Sequence, residues 1–176
     1  ESYLHDIRRI VGERTSLASI HYFSAPPTHL SNPDKLKRHQ LYMRCLRRTG
    51  VQVQLQRFKE THKKCHECGH TWVEGEEKET DVALASRLFE VCVGDLADAV
   101  ALVTGDTDFR PAVQTCLRTC PDKHVFFVFP YRRHHDELEQ IAPDSFRMRP
   151  AACFSNQFDD PLVLPDGSRI HKPPQW

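Results

Sequence analysis

Short apolar runs alternate along the chain with stretches in which apolar residues recur every three or four positions. The runs predict strands at residues 18–24, 51–58, 98–103 and 124–129, and the periodic stretches predict helices at residues 1–11, 34–49, 80–92, 109–119 and 135–141. Residues 145–148 are expected to add an edge strand. Strands that alternate with helices favour an α/β fold with a mainly parallel sheet, whose right-handed crossovers bring the carboxyl ends of the strands to one edge.

Two segments interrupt this alternation. Residues 60–79 are polar and rich in cysteine and histidine, so we expect them to form a loop inserted into a domain that spans residues 1–150. Residues 151–176 contain several prolines, which disfavour helix interiors and central strands. An extended C-terminal tail is therefore predicted there, with Trp176 as a candidate docking residue.

The strongest chemical signal lies directly after the third predicted strand. Residues 99–103 are all apolar, which is typical of a central strand covered on both faces, and Asp106 and Asp108 follow within five residues. Two carboxylates held close together repel each other unless a cation or a proton lies between them, and oxygen ligands suit a hard divalent cation. The alternative is that either aspartate caps the next helix, whose first turn includes Pro111.

A third carboxylate, Asp81, stands at the predicted start of the helix at residues 80–92. A carboxylate in that position can satisfy free backbone N–H groups and interact favourably with the helix dipole. It can equally serve as a third ligand for the cation that Asp106 and Asp108 would bind. The residues alone leave both interpretations open.

The polar segment at residues 60–79 carries a second metal-like pattern. Cys65 and Cys68 have the spacing of a zinc half-site in a turn that ends in Gly69, and thiolate and imidazole groups suit tetrahedral Zn²⁺. The local candidates for the remaining ligands are His62, His66 and His70. The alternative is a surface loop with two free thiols.

Composition limits the classes of partner. The chain has 24 basic and 24 acidic residues, which argues against a strongly basic protein that wraps nucleic acid but allows a local basic groove. Seven cysteines, of which one pair has a metal-like spacing, favour a reducing compartment, and no run of about 18 apolar residues occurs. We therefore expect a soluble, cytoplasmic protein. The basic residues that could hold a phosphate backbone are Lys78, Arg110, Arg132 and Arg133.

Two motifs together resemble the NYN domain, which belongs to the PIN-like nuclease superfamily. The first is Glu-Lys-Glu-Thr-Asp-Val-Ala-Leu-Ala at residues 77–85, and the second is Leu-Val-Thr-Gly-Asp-Thr-Asp-Phe at residues 102–109. The Cys-x2-Cys loop and the Pro-Pro-x-Trp ending also resemble a bacterial subgroup of these proteins. The resemblance implies a Rossmann-like, three-layer α/β/α fold with a mainly parallel central sheet. It also implies a metal-dependent endoribonuclease that holds Mg²⁺ or Mn²⁺ in an acidic pocket.

Carried over by position, Asp81, Asp106 and Asp108 match the family's metal-binding and catalytic residues, and Thr104 matches its small hydroxyl residue before Gly-Asp. The family also begins with a strand that ends in a further aspartate, whereas this sequence starts in the helix that would follow it, so we expect a preceding segment in the full protein.

The resemblance implies action on single-stranded or structured RNA, and hydrolysis by a metal-activated water predicts 5′-phosphate and 3′-hydroxyl ends. The sequence leaves open whether the chain forms a homo-oligomer. A non-catalytic RNA-binding or adaptor module with a zinc-stabilised loop is the main alternative. A phosphatase-like hydrolase ranks last because the sequence has no Asp-x-Asp-x-Thr motif.

Overall fold

Parallel strands and the helices that connect them recur along the computed structural model, which describes residues 2–27 and 33–175, without the side chains of residues 2–6 and 152. Trp176, the candidate docking residue, lies outside the described residues. The helices are α1 (Ser2–Val11), α2 (Pro33–Arg48), α3 (Thr80–Val93), α4 (Arg110–Thr119), α5 (Asp136–Ile141) and α6 (Pro150–Ser155). The described helices are all too short or too polar to span a bilayer.

The strands are β1 (His21–Ser24), β2 (Gln52–Leu55), β3 (Arg57–Lys64), β4 (Thr71–Lys78), β5 (Ala99–Leu102), β6 (His124–Phe129), β7 (Phe146–Arg147), β8 (Leu162–Val163) and β9 (Arg169–Ile170). The chain divides into two units, one from residues 1–18 and 84–157 and the other from residues 19–83 and 158–176. The fold is a mixed α/β arrangement with small parallel sheets.

The first unit contains a parallel sheet in the order β5-β6-β7. Strand β6 is its centre, and five of its six residues are at most 3% exposed, as expected for a continuous apolar run. The prediction that residues 98–103 form a central strand covered on both faces was wrong for the described sheet. There β5 pairs with β6 alone, and Ala101 is exposed. An apolar run identifies a strand but does not give its place in the sheet order.

The core of the first unit joins β6 to the helices that pack on it. Phe127 and Phe129 stack with ring centroids 5.8 Å apart, and both are fully buried. Each phenylalanine contributes about 1.5–3 kcal/mol through burial. The helices contribute Leu88, Cys92, Val113, Cys116 and Leu138. The two cysteines among them pack as buried apolar groups.

The second unit begins with a parallel β1–α2–β2 crossover. Helix α2 turns Met43 and Cys45 inward, which are 1% and 2% exposed. Gly50, with φ +84°, follows the helix in the left-handed conformation that glycine favours at helix ends.

Residues 60–79 do not form the predicted loop. Strands β3 and β4 pair as an antiparallel hairpin of eight residues each, from Arg57 opposite Lys78 to Lys64 opposite Thr71. Both strands are exposed along most of their length. The apolar periodicity that identifies a strand was therefore missing, since neither face of this hairpin packs on a core.

The segment at residues 151–176 is also more regular than predicted. Proline at the first turn of α6 is compatible with a helix because its missing N–H needs no partner there. Strands β8 and β9 then pair in antiparallel fashion around a turn that contains Gly167 at φ +80°. The Asp166-Gly167 pair favours a tight turn between two strands, and this hairpin forms although Pro161 and Pro165 lie close to it.

Candidate functional site

The segment after β5, residues 104–109, turns tightly at the carboxyl end of the strand; we call it the acidic loop. The backbone N–H of Asp106 donates to the Thr104 hydroxyl at 3.1 Å, and one carboxylate oxygen of Asp106 accepts the N–H of Asp108 at 3.0 Å. Asp106 therefore caps the short 3₁₀ turn over Thr107–Phe109. The capping interpretation is thus correct for one oxygen of Asp106, and it leaves the second oxygen available.

Asp108 has a different environment. Its side chain is exposed, and among residues 2–27 and 33–175 no hydrogen bond or ion pair engages its carboxylate. The loop continues into α4 with Phe109 buried and Pro111 in the first helical turn, as predicted. Burial of Phe109 anchors the loop, so the two carboxylates are held on a fixed backbone.

The acidic loop packs directly against the loop that follows β6. A Cβ atom on Gly105 would lie 1.8 Å from the carbonyl oxygen of Arg133, so no other residue fits without moving one of the two backbones. The carboxyl ends of β5 and β6 therefore meet, as the parallel topology predicts.

The predicted phosphate-binding arginines of this unit lie at the same edge. Arg132 and Arg133 are exposed on the loop after β6, and the Arg132 guanidinium lies 5.1 Å from the centroid of the Tyr131 ring. Arg110 is also exposed and forms an ion pair with Glu137 at 3.1 Å. This edge of the sheet therefore carries exposed guanidinium groups and exposed carboxylates. The positive groups suit the phosphates of a phosphodiester, and the negative groups suit a cation bound with it.

His134 lies at the end of the same loop and is half-buried. Its ring nitrogens face Asp136 at 3.4 Å and Glu139 at 2.8 Å, and these three ligand atoms could hold a metal ion. The Arg147 guanidinium, however, lies 3.1 Å from His134 Nδ1. The positively charged guanidinium of Arg147 therefore lies where a metal ion would bind. We interpret the cluster as a set of contacts that stabilises the loop.

The second unit holds the other predicted residues, Asp81 and Lys78. Both line a cavity of about 370 Å³ at the junction of β4 and α3, together with Glu77, Glu79, Thr80 and Val82. The Thr80 hydroxyl donates to the Glu77 carboxylate at 2.5 Å, and the Lys78 ammonium contacts Glu76 at 2.5 Å. The lining thus holds three carboxylates and one basic residue, Lys78, and one of the carboxylates, Glu79, forms an ion pair with Arg57.

His39 is a residue of this unit that sequence reasoning missed. Its Nε2 lies 3.1 Å from the Ser24 hydroxyl at the carboxyl end of β1, while its buried Nδ1 has no hydrogen-bond partner within the described residues. Burial lowers the pKa of His39, and the Glu77 carboxylate partly opposes this change. Helical spacing could have indicated that His39 faces inward, because it lies one turn before the buried Met43 on the same face of α2.

The hairpin turn at residues 65–70, which we call the knuckle, brings the two predicted zinc-binding cysteines together. Hydrogen bonds from the backbone N–H groups of Cys68 and Glu67, and from the Cys68 side chain, lower the pKa of Cys65. The Cys65 N–H also donates to the backbone carbonyl oxygen of His70 at 2.8 Å, and the Gly69 N–H donates to the carbonyl oxygen of Cys65 at 3.0 Å. None of the predicted ligands His62, His66 and His70 forms a three-ligand group with both thiols in the described structure.

Comparison with known proteins places the chain in a family. The model of the NYN domain family matches residues 2–147. A crystal structure of a protein of unknown function from Vibrio parahaemolyticus has a similar fold, with a TM-score of 0.52 and 20% identity over 82% of this chain and 77% of that chain. The search of curated proteins found no match. Because the family match covers most of the sequence, the chain belongs to the NYN domain family, within the PIN-like nuclease superfamily.

Proposed function

We propose that this chain is a metal-dependent endoribonuclease whose catalytic carboxylates are Asp81, Asp106 and Asp108. The observation that carries the proposal is the contact between Gly105 and the Arg133 carbonyl. It brings the backbone of the acidic loop, which carries two exposed carboxylates, against the backbone of the loop that carries the exposed Arg132 and Arg133. Carboxylates and arginines in this arrangement suit RNA, which offers a phosphodiester for hydrolysis and further phosphates for binding.

The residues fit a hard divalent cation such as Mg²⁺ or Mn²⁺. Asp108 and the free oxygen of Asp106 are exposed oxygen donors on an anchored loop, the donor type that these ions prefer. The assignment of Asp81 rests on the family motif and on its position in an acidic cavity of the second unit. When bound, the ion would activate water and stabilise charge on the phosphate.

The chain's own residues have separate tasks in this mechanism. Asp106, Asp108 and Asp81 would hold the ion, and the Thr104 hydroxyl keeps Asp106 oriented through its N–H. Arg110, Arg132 and Arg133, with Lys78, would bind phosphates of the RNA and fix its register. No protein nucleophile is needed: water would attack the phosphorus and the 3′ oxygen would leave and take up a proton, so the products would carry 5′-phosphate and 3′-hydroxyl ends.

The finer features of the family are part of the proposal. These are a three-layer α/β/α arrangement of a domain spanning residues 1–150 and action on single-stranded or structured RNA, supported by the family match over residues 2–147. A reducing location such as the cytoplasm is consistent with the seven cysteines, all within the described residues, since none of them forms a disulfide.

The proposal is tested with end-labelled single-stranded RNA and the longest natural form of the chain. We expect cleavage with Mn²⁺ or Mg²⁺, none with EDTA, and a 5′-phosphate on the downstream product. Asp106→Asn should abolish cleavage. Asp98→Asn is the matched control, because Asp98 precedes the amino end of the same strand, is exposed and should leave cleavage intact.

Two results would contradict the proposal. Cleavage that continues in EDTA would exclude a metal-dependent enzyme. RNA that binds but stays intact with either metal would favour the non-catalytic RNA-binding or adaptor module instead.

A further inference from the structure

The β3–β4 hairpin ends in an exposed arm that the ribonuclease proposal does not use. Residues 62–74 form its outer half, and within them only Cys65 is half-buried, while all the other residues are exposed. The two strands pack mainly on each other. An eight-residue strand is about 26 Å long, so the knuckle is held well away from the base of the hairpin.

The knuckle has the geometry of half a zinc site. The backbone N–H groups of Glu67 and Cys68 donate hydrogen bonds to the sulfur of Cys65, and Cys68 is exposed beside it. Hydrogen bonds from Cys65 and Gly69 close the turn, so the pair is ordered by the backbone. Structural zinc requires four ligands, and the knuckle supplies two.

The other two ligands are not assembled within the described part of this chain. No third histidine, cysteine or carboxylate atom there lies within 4.8 Å of both sulfurs. The His70 ring instead stacks on Trp72, with centroids 6.1 Å apart. His62 lies on β3 opposite Val73.

We propose that the knuckle is half of an intermolecular zinc site, in which Cys65 and Cys68 from two copies of this chain hold one Zn²⁺. A two-fold axis through the ion would give each copy the same two ligands and complete a tetrahedral site of four thiolates. Trp72 lies two residues after the knuckle and is 42% exposed. When two copies pair, its ring would pack against apolar surface of the second copy. The partner is therefore a second copy, which needs no further ligand type.

Assembly is redox-neutral and releases protons. Four thiols lose four protons to form four zinc–sulfur bonds, which leaves the site with two negative charges. Lys64, exposed and adjacent to Cys65, would place one positive charge beside the site from each copy. Glu67, exposed within the knuckle, would place one negative charge there from each copy, so it is the ligand number that two copies balance.

The test uses the full chain in a non-thiol reductant, with zinc content measured by elemental analysis and mass by light scattering. We expect a dimer with about one zinc ion per two chains, a monomer after chelation and a dimer again after zinc addition. Cys65→Ser and Cys68→Ser should each lose both zinc and dimer. Cys153→Ser, at an exposed cysteine outside the hairpin, is the matched control and should retain both.

His62→Ala, His66→Ala and His70→Ala separate this site from a local one. We expect all three variants to keep zinc and the dimer. A monomer with one zinc per chain that is lost in any of these histidine variants would overturn the proposal in favour of a site within one copy. A dimer that survives chelation, or a chain that binds no zinc, would overturn it as well. None of these readouts depends on RNA cleavage.

Discussion

Replacement of Gly105 by alanine is the sharpest perturbation of the acidic loop, because it adds one methyl group and removes no charge. The new Cβ would lie 1.8 Å from the Arg133 carbonyl oxygen and 2.8 Å from its carbonyl carbon. Both are backbone atoms, so rotation of a side chain cannot relieve the clash. An ordinary contact requires a displacement of about 1.6 Å between the loops that follow β5 and β6.

We expect this displacement to cost about 1–3 kcal/mol of unfolding free energy, the usual range for overpacking. The effect on cleavage should be larger, since a misplacement of about 1 Å in a catalytic group can reduce activity about 100-fold. Urea denaturation followed by circular dichroism measures the first quantity, and cleavage of labelled RNA with Mn²⁺ measures the second.

Gly50→Ala is the matched control. It forces a side chain into a left-handed backbone, at about 1–2 kcal/mol, but its Cβ would meet nothing within 4 Å. We expect comparable destabilisation with normal cleavage in this variant. Wild-type stability and cleavage in Gly105→Ala would refute the packing of the two loops.

Two further predictions concern the core of the first unit. Ser145→Ala removes the hydroxyl that accepts the Phe127 N–H at 2.9 Å, and a buried N–H left without a partner should lower the unfolding free energy by about 1–3 kcal/mol in urea titrations; an unchanged value would contradict this contact. Burial and the neighbouring Cys92 raise the pKa of Cys116 to about 12, so its thiol stays protonated at lower pH. Alkylation near pH 8 should therefore modify exposed Cys68 and spare Cys116 until the protein unfolds, and equal labelling of both in the native state would show that the core is open.

The order of strands and helices was largely predictable because most elements bury one face. The apolar run of β6 and the helical spacing in α3 and α4 report directly on the core that they form. The β3–β4 hairpin was missed for the same reason, since strands exposed on both faces have no apolar period. The edge position of β5 was missed because sheet order depends on pairing between distant segments.

The sequence indicated which residues form the candidate site, but it did not indicate the tertiary contacts that hold them in place. Asp106 and Asp108 follow a strand in the sequence, which was enough to place them at its carboxyl end. The capping hydrogen bond of Asp106 matched the alternative that the sequence left open. The approach of Gly105 to Arg133 is a tertiary contact between residues far apart in the sequence, and no local pattern encodes it.

The most direct test of the central claim compares RNA cleavage by the wild type, Asp81→Asn, Asp106→Asn and Asp108→Asn with Mn²⁺ under identical conditions. Circular dichroism and RNA binding would show that each variant is folded and still engages its substrate. The account predicts that all three variants bind RNA and that none cleaves it. Wild-type cleavage by any of them would contradict the assignment of that carboxylate, and wild-type cleavage by all three would contradict the catalytic site itself.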